Sequence, residues 1–269
     1  MKKFIVSAGM LLLISQCSMG SVLAASVGPT SDVATPEGGL LQIPKIGESP
    51  LKAAFVYDYE TRHLRPYKPE IRINWFLAKI SFDIMNRVEP YVELGGAKMS
   101  TREPVGDMRN TFDYGAGFAW GFGAKVILFA KKVFCGQDKE LKIFSDTKFR
   151  RTRSTLDRYI SQDITQGSMY MKLWEWQTAL GVSQEFKITK DLTATPYLGA
   201  KYSDVDILSD GDVTTGSGDE VFGKVRYQSR YKFGPFIGMD IGIGKYVSLS
   251  VEGRFVDENS VSAGITFRI

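Results

Sequence analysis

The chain has 269 residues, 24% of them charged and 43% hydrophobic. That charge density excludes a bundle of membrane helices, each of which needs about 20 predominantly apolar residues. The formal net charge is +4 and Lys2 and Lys3 contribute to it, so the rest is nearly balanced and carries no basic footprint for nucleic acid.

The first segment is an address. Met1, Lys2 and Lys3 form a basic start, Phe4 to Ile14 an apolar run, and Val22-Leu23-Ala24 a small-residue cleavage site. This predicts a Sec signal peptide over 1–24. An uncleaved anchor would need a longer apolar run, and a lipoprotein reading at Cys17 meets Gln16 where a small residue is expected. Cleavage would leave one cysteine, Cys135, and one histidine, His63. No intramolecular disulfide is then expected. No metal site is expected either, because a structural zinc needs several such ligands. Residues 25–50 hold Pro29, Pro36, Pro44 and Pro50 without any period, which predicts a periplasmic N-terminal tail.

From Leu51 to the end the residues alternate. Leu51, Ala53, Phe55, Tyr57 and Tyr59 interleave with Lys52, Ala54, Val56, Asp58 and Glu60. Ile71, Ile73, Trp75 and Leu77 form the next apolar row. The apolar phase then jumps to Ile80, Phe82 and Ile84, which suggests a bulge or a strand leaving the bilayer. A short strand follows over 90–99. In the fourth, Phe112, Tyr114, Ala116, Phe118, Trp120 and Phe122 face away from Asp113, Gly115, Gly117, Gly121, Gly123 and Lys125. Further strands are predicted near 141–149, through Trp174 to Ser183, over 192–204, and in three runs from Val225 to Ile269. A strand sends successive side chains to opposite faces, so one face lies in an apolar medium and the other is polar or glycine. Polar stretches at 101–110, 151–167 and 209–223 are expected to be long outer loops.

A soluble sandwich or lipocalin would also alternate, with its apolar face towards a core. Export, polar faces rich in glycine and charge, and Trp and Tyr on the apolar face favour a membrane barrel instead. The prediction is all-β: a single closed antiparallel transmembrane β-barrel over 51–269, with about ten strands, eight or twelve being possible. Trp120, Trp174, Trp176 and Tyr231 are candidates for its aromatic girdle, with Tyr114 and Phe233 beside them.

The signal peptide, the alternation from Leu51 onward and the ending Ser262-Ala263-Gly264-Ile265-Thr266-Phe267-Arg268-Ile269 resemble the small outer-membrane β-barrels of Gram-negative bacteria, such as the OmpA-like and OmpW-like barrels. That resemblance implies the cell outer membrane as location. Its lipids and lipopolysaccharide, and the barrel-assembly machinery, would be the partners. Ile269 stands where those barrels usually end in an aromatic.

Fold alone does not fix function, so the side chains must be weighed. Lys52, Asp58, Glu93, Asp113, Lys125, Lys201, Arg226, Arg230, Lys232, Asp240, Glu252, Arg254 and Arg268 are expected in the lumen. Arg226, Arg230, Lys232 and Arg254 would give it a surplus of cations. A barrel of this size is about wide enough for side chains to fill, and burying charge demands pairing, which favours a plugged lumen over a narrow pore. Arg150, Arg151 and Arg153 are expected in an outer loop, where Arg forks match the phosphates of lipopolysaccharide. Omptin-like proteases use Asp and His near the outer rim, and lipid A deacylases and palmitoyl transferases pair His with Ser. His63, with Asp58 and Glu60 to orient it, is the only candidate base. No Ser flanks it at a recognisable spacing. The expected protein is therefore a non-enzymatic surface barrel without a cofactor; a narrow porin and a His63 hydrolase are the rivals. Cys135 is expected to be a turn residue without redox role.

Overall fold

The computed structural model describes residues 51–269 apart from 67–68, 85–86, 106–107, 133–139, 161–163, 216–223 and 257. The signal peptide, the tail and Cys135 thus lie outside the described residues. Twelve strand segments follow one another: β1 (Leu51–Arg65), β2 (Glu70–Phe82), β3 (Val88–Val105), β4 (Met108–Lys132), β5 (Glu140–Ile160), β6 (Ile164–Gln184), β7 (Phe186–Lys187), β8 (Leu192–Thr215), β9 (Val225–Ser229), β10 (Phe233–Ile243), β11 (Val247–Arg254) and β12 (Asn259–Arg268).

Every pairing is antiparallel, and the sheet closes on itself. β1 pairs with β12 from Lys52↔Arg268 to Thr61↔Asn259, and β8 pairs with β10 from Phe233↔Tyr202 to Ile243↔Leu192. The two-residue β7 prolongs β6 along β8, and β9 prolongs β10 along β8. The ring therefore has ten staves built from twelve segments, which agrees with the expected count. The pairings of β1 with β12 and of β8 with β10 remove the two long edges that an open sheet would have to cover. Both described ends of the barrel, Leu51 and Ile269, lie at one rim, here the base, and Ile269 N donates to Leu51 O at 3.1 Å.

The apolar side chains change sides between base and tip. Towards the base they face outward: Phe76, Ile80, Leu94, Phe118, Phe122, Leu180, Leu198, Ile237 and Ile241 are exposed. Towards the tip they face inward: Ile71, Ile73, Trp75, Met99, Phe112, Tyr114, Met171, Leu173, Val205, Ile207 and Tyr227 form one buried cluster. The outer wall around that cluster carries Arg72, Arg151, Arg153, Lys172, Asp206 and Arg226. A barrel with an apolar outside is stacked on a barrel with an apolar inside.

This inversion corrects several expectations. Ile71, Ile73, Trp75 and Leu77 line the interior, and the phase change after Lys79 is no bulge, since β2 pairs with β1 and β3 without a register shift. The interior simply turns from apolar to polar there. In β4 the registers do slip, between Asp113 and Phe118. Phe112 and Tyr114 consequently point in while Phe118, Trp120 and Phe122 point out, and Asp113 is not a lumen residue. The polar stretches expected as outer loops are largely strand: β5 and β6 continue to Ile160 and Ile164, and β8 to Thr215.

The hairpin of β11 and β12 is short. It stops at Arg254 and Asn259, and above it β9 pairs directly with β1, Leu64↔Ser229 and Arg65↔Gln228. The tip is thus closed by eight staves, β1 to β6 with β8 and β9. Arg230 N donates to His63 O at 3.1 Å and Phe255 N to Pro235 O at 3.1 Å, which ties the crossing in place.

Candidate functional site: the charged interior

Beneath the apolar cluster the even-numbered residues of β1 place Asp58, Glu60 and Arg62 on the inner face, all essentially without exposure. Each meets partners from across the ring. Arg150 of β5 holds Glu93 through Nε at 2.7 Å and Nη2 at 3.3 Å, and Asp58 through Nη1 at 2.7 Å. Arg254 also reaches Asp58, and Ser262 Oγ donates to the same carboxylate at 3.0 Å. Arg62 is gripped by Glu60 and Glu258 and donates to Glu175 at 2.6 Å. Glu258 in turn pairs with Lys201 and, at 3.0 Å, with Arg254. Charges withdrawn from water need such pairing, and planar guanidinium forks supply it bidentately.

A second tier lies nearer the base. Lys52 Nζ donates to Glu89 at 2.9 Å and stands 3.6 Å from Asp83. Tyr91 donates to Asp146 at 2.8 Å, and the Lys79 ammonium sits 3.8 Å above the Tyr91 ring. Beside this tier Phe144, Tyr197 and Phe236 pack with ring centroids 6.2–6.3 Å apart. Glycine makes room for them. A Cβ on Gly181 would stand 2.6 Å from the Phe144 ring, and one on Gly238 would overlap Tyr197. The space left between the tiers is a cavity of about 30 Å³, lined by Lys79, Glu89, Lys125, Asp146, Arg150 and Asp240 among others. That is room for about two waters.

Lys125, Asp240, Glu252 and Arg254 are buried in this interior, as are Lys52, Asp58, Glu93 and Lys201. Arg226, Arg230 and Lys232 are not. Arg226 lies outside, paired with Asp206; Lys232 is bonded to Asp204 at 2.7 Å; and exposed Arg230 stands over the Tyr231 ring. The cause is the break at 230–232. Tyr227 and Ser229 point inward before it, Gly234, Phe236 and Asp240 after it, and this odd spacing swaps the faces. The expected cation surplus disappears with them. Among the described residues, buried acids (Asp58, Glu60, Asp83, Glu89, Glu93, Asp146, Glu175, Asp240, Glu252, Glu258) outnumber buried bases (Lys52, Arg62, Lys125, Lys142, Lys148, Arg150, Lys201, Arg254).

Arg150 is the other displaced residue. It is 1% exposed in the centre of the barrel rather than in an outer loop, because β5 runs unbroken through it and even positions face in. Arg151 and Arg153 occupy the outer face of the same strand, over the Trp174 and Tyr170 rings. Trp120, Trp174 and Trp176 point outward, Trp176 with 47% exposure, and Tyr231 is exposed in the break between β9 and β10. His63 is exposed on the outer face of β1, opposite to Asp58 and Glu60 on the inner one, so neither carboxylate orients it. Glu60, Glu175 and Glu258 bring carboxylate oxygens within 4.8 Å of one another, a spacing a cation could use. The Arg62 guanidinium is the cation between them.

Sequence reading missed Arg62, Glu175 and Glu258. One more step along the row Lys52, Ala54, Val56, Asp58, Glu60 reaches Arg62. Glu258 lies in what reads as a turn, and nothing local marks it as buried.

No family model matches the chain, and no curated protein does. Among solved structures it is similar to the outer membrane protease OmpT from Escherichia coli, with a TM-score of 0.48, 10% identity, and coverage of 84% of this chain and 99% of that one. It is also similar to the transport unit of the autotransporter AIDA-I from Escherichia coli, with 0.39, 9%, 85% and 92%. The translocator domain of autotransporter NalP from Neisseria meningitidis gives 0.39, 10%, 84% and 90%. These levels carry no argument about activity, and the strand pairing itself establishes the barrel.

Proposed function

We propose that this chain is an outer-membrane barrel of closed interior, exported by the segment 1–24, that acts through its outer surface as a structural or surface-interaction protein and not as a channel or enzyme. The observation that carries the reading is the filled interior. An apolar cluster crosses the tip, two tiers of paired charge lie under it, and a cavity of about 30 Å³ stays open between them. Hydrated ions need a continuous polar path, which buried Leu173, Ile207 and Tyr227 interrupt. The apolar outer wall at the base, topped by outward Trp120, Trp174 and Trp176, fits a bilayer with its aromatic belt. The base rim, with Leu51 and Ile269, would then face the periplasm.

The separation of His63 from Asp58 and Glu60 supports the non-enzymatic part, since a general base needs an orienting partner within hydrogen-bond reach. Planar-bilayer conductance of the refolded barrel tests the reading. Silence from protein that gives a heat-modifiable folded band on gels is expected; steady unitary channels would overturn the closed interior. Lipid A mass spectra and peptide-cleavage assays, on wild type and His63→Ala, check the absence of catalysis. Activity lost in that variant would refute it.

A further inference from the structure

Arg153 of β5 and Lys172 of β6 are direct cross-strand partners. Like charges placed opposite one another destabilise a strand pair, so an explanation is needed. No relief comes from a carboxylate: among the described residues none forms an ion pair with Arg151, Arg153 or Lys172. Their neighbours are rings instead. Arg153 Cζ lies 4.6 Å and Lys172 Nζ 4.9 Å from the Tyr170 centroid, so two cations share one ring, and Arg151 Cζ lies 5.5 Å from Trp174. On the next strand Asp210 accepts the Tyr170 hydroxyl at 2.7 Å and Asp206 pairs with Arg226.

The height of the cluster identifies what could sit there. Arg151 is the register partner of Trp120 on one side and of Trp174 on the other. The three form one outward row at the aromatic belt, and the next row towards the tip is Phe118, Arg153 and Lys172, where charge joins the apolar wall. Aromatic belts mark the level of lipid headgroups. The row lies away from the rim that holds Leu51 and Ile269, hence in the outer leaflet. From this geometry we infer that Arg151, Arg153 and Lys172 bind a phosphate of an outer-leaflet lipid, with Tyr170 and Trp174 holding the cations upright. Arg forks match phosphate oxygens bidentately, and an anion between Arg153 and Lys172 turns their repulsion into attraction. The inference rests on the membrane placement proposed above.

The test uses the full barrel refolded into phosphatidylcholine vesicles, with diphosphorylated lipid A, dephosphorylated lipid A or inorganic phosphate added. Native mass spectrometry reads the lipid retained, and the heat-modifiable band reports folding and insertion separately. Wild type should retain the diphosphorylated lipid over the dephosphorylated one. The variant R151A/R153A/K172A should lose affinity on the order of a hundredfold, about fivefold for each cation near a charged surface. R153K should fall between, because it keeps charge and loses the fork. Without anionic lipid the triple variant should unfold no earlier than wild type, since it sheds a like-charge pair. Equal retention by wild type and triple variant in well-inserted protein would overturn the inference and leave the membrane placement intact. Binding of inorganic phosphate as tight as that of the lipid would show a free-anion site and overturn the lipid source. Failure of wild type to insert at all would overturn both.

Discussion

Arg150 offers the sharpest test of where the charges lie. Its guanidinium makes two bonds to Glu93 and one to Asp58, and it stacks 5.5 Å from Trp75 at the boundary of the apolar cluster. Truncation to Ala would leave Asp58 with Arg254 and Ser262, but would strip Glu93 of its guanidinium. Removing one partner of a buried pair costs about 3–5 kcal/mol, because the other charge stays buried. With a slope of about 2–3 kcal/mol/M in urea, the unfolding midpoint should fall by about 1–2 M at unchanged slope. Tryptophan fluorescence of the barrel in micelles, titrated with urea, measures it. The double replacement R150M/E93M should recover most of the loss, since apolar side chains of similar volume substitute well for a buried pair. A cost for Arg150→Ala below about 1 kcal/mol, the range of exposed pairs, would refute the interior position. So would a double variant no better than the single one.

The inverted polarity makes neighbouring residues differ. Ile73→Glu, into the apolar interior, should cost several kcal/mol or block folding, as burial of an unpaired charge does, whereas Arg72→Glu on the outer wall should stay within about 1 kcal/mol; urea midpoints compare them. At the lipid-facing level, Phe122→Arg and Leu180→Arg should each cost about 2–4 kcal/mol in vesicles, while Thr155→Arg, outward but above the belt, should be tolerated. Gly238→Ala should lose about 1–3 kcal/mol by overpacking against the Tyr197 ring, and adding Tyr197→Ala should relieve that clash at the cost of a cavity, seen as non-additive midpoints.

Alternation is a local signal, so the barrel and its count of about ten staves were legible from Leu51 onward. Alternation also puts Phe118, Trp120 and Phe122 on the correct outer face, and Gly117 and Gly121 on the inner one. What alternation does not carry is which face is inside. In Ile71 to Leu77 the rows are as clear as in Phe118 to Phe122, yet they point opposite ways. Only the apolar filling of the tip, made by strands far apart in sequence, distinguishes them. The slips near Asp113 and the break at 230–232 each move the phase by one residue, and such a slip flips every later side chain. Arg226, Arg230 and Lys232 were lost that way, as one row misread. Arg150 was lost for another reason. Three arginines within four residues suggest a solvated loop, until β3 supplies Glu93 and β1 Asp58.

The eight-stave tip has a mechanical consequence. From Arg151 to Ile160, β5 continues beyond the aromatic belt. At about 3.3 Å per residue and a tilt near 40°, ten residues raise the wall by about 25 Å. This is a pedestal in which β5 is held along β6 up to Thr155↔Tyr170 and along β4 up to Thr111↔Ile160, packed with its own apolar filling, so it stands stiffly from the surface instead of trailing from it. Side chains on its outer wall, such as Arg72 and Arg226, are therefore displayed at a fixed height and orientation.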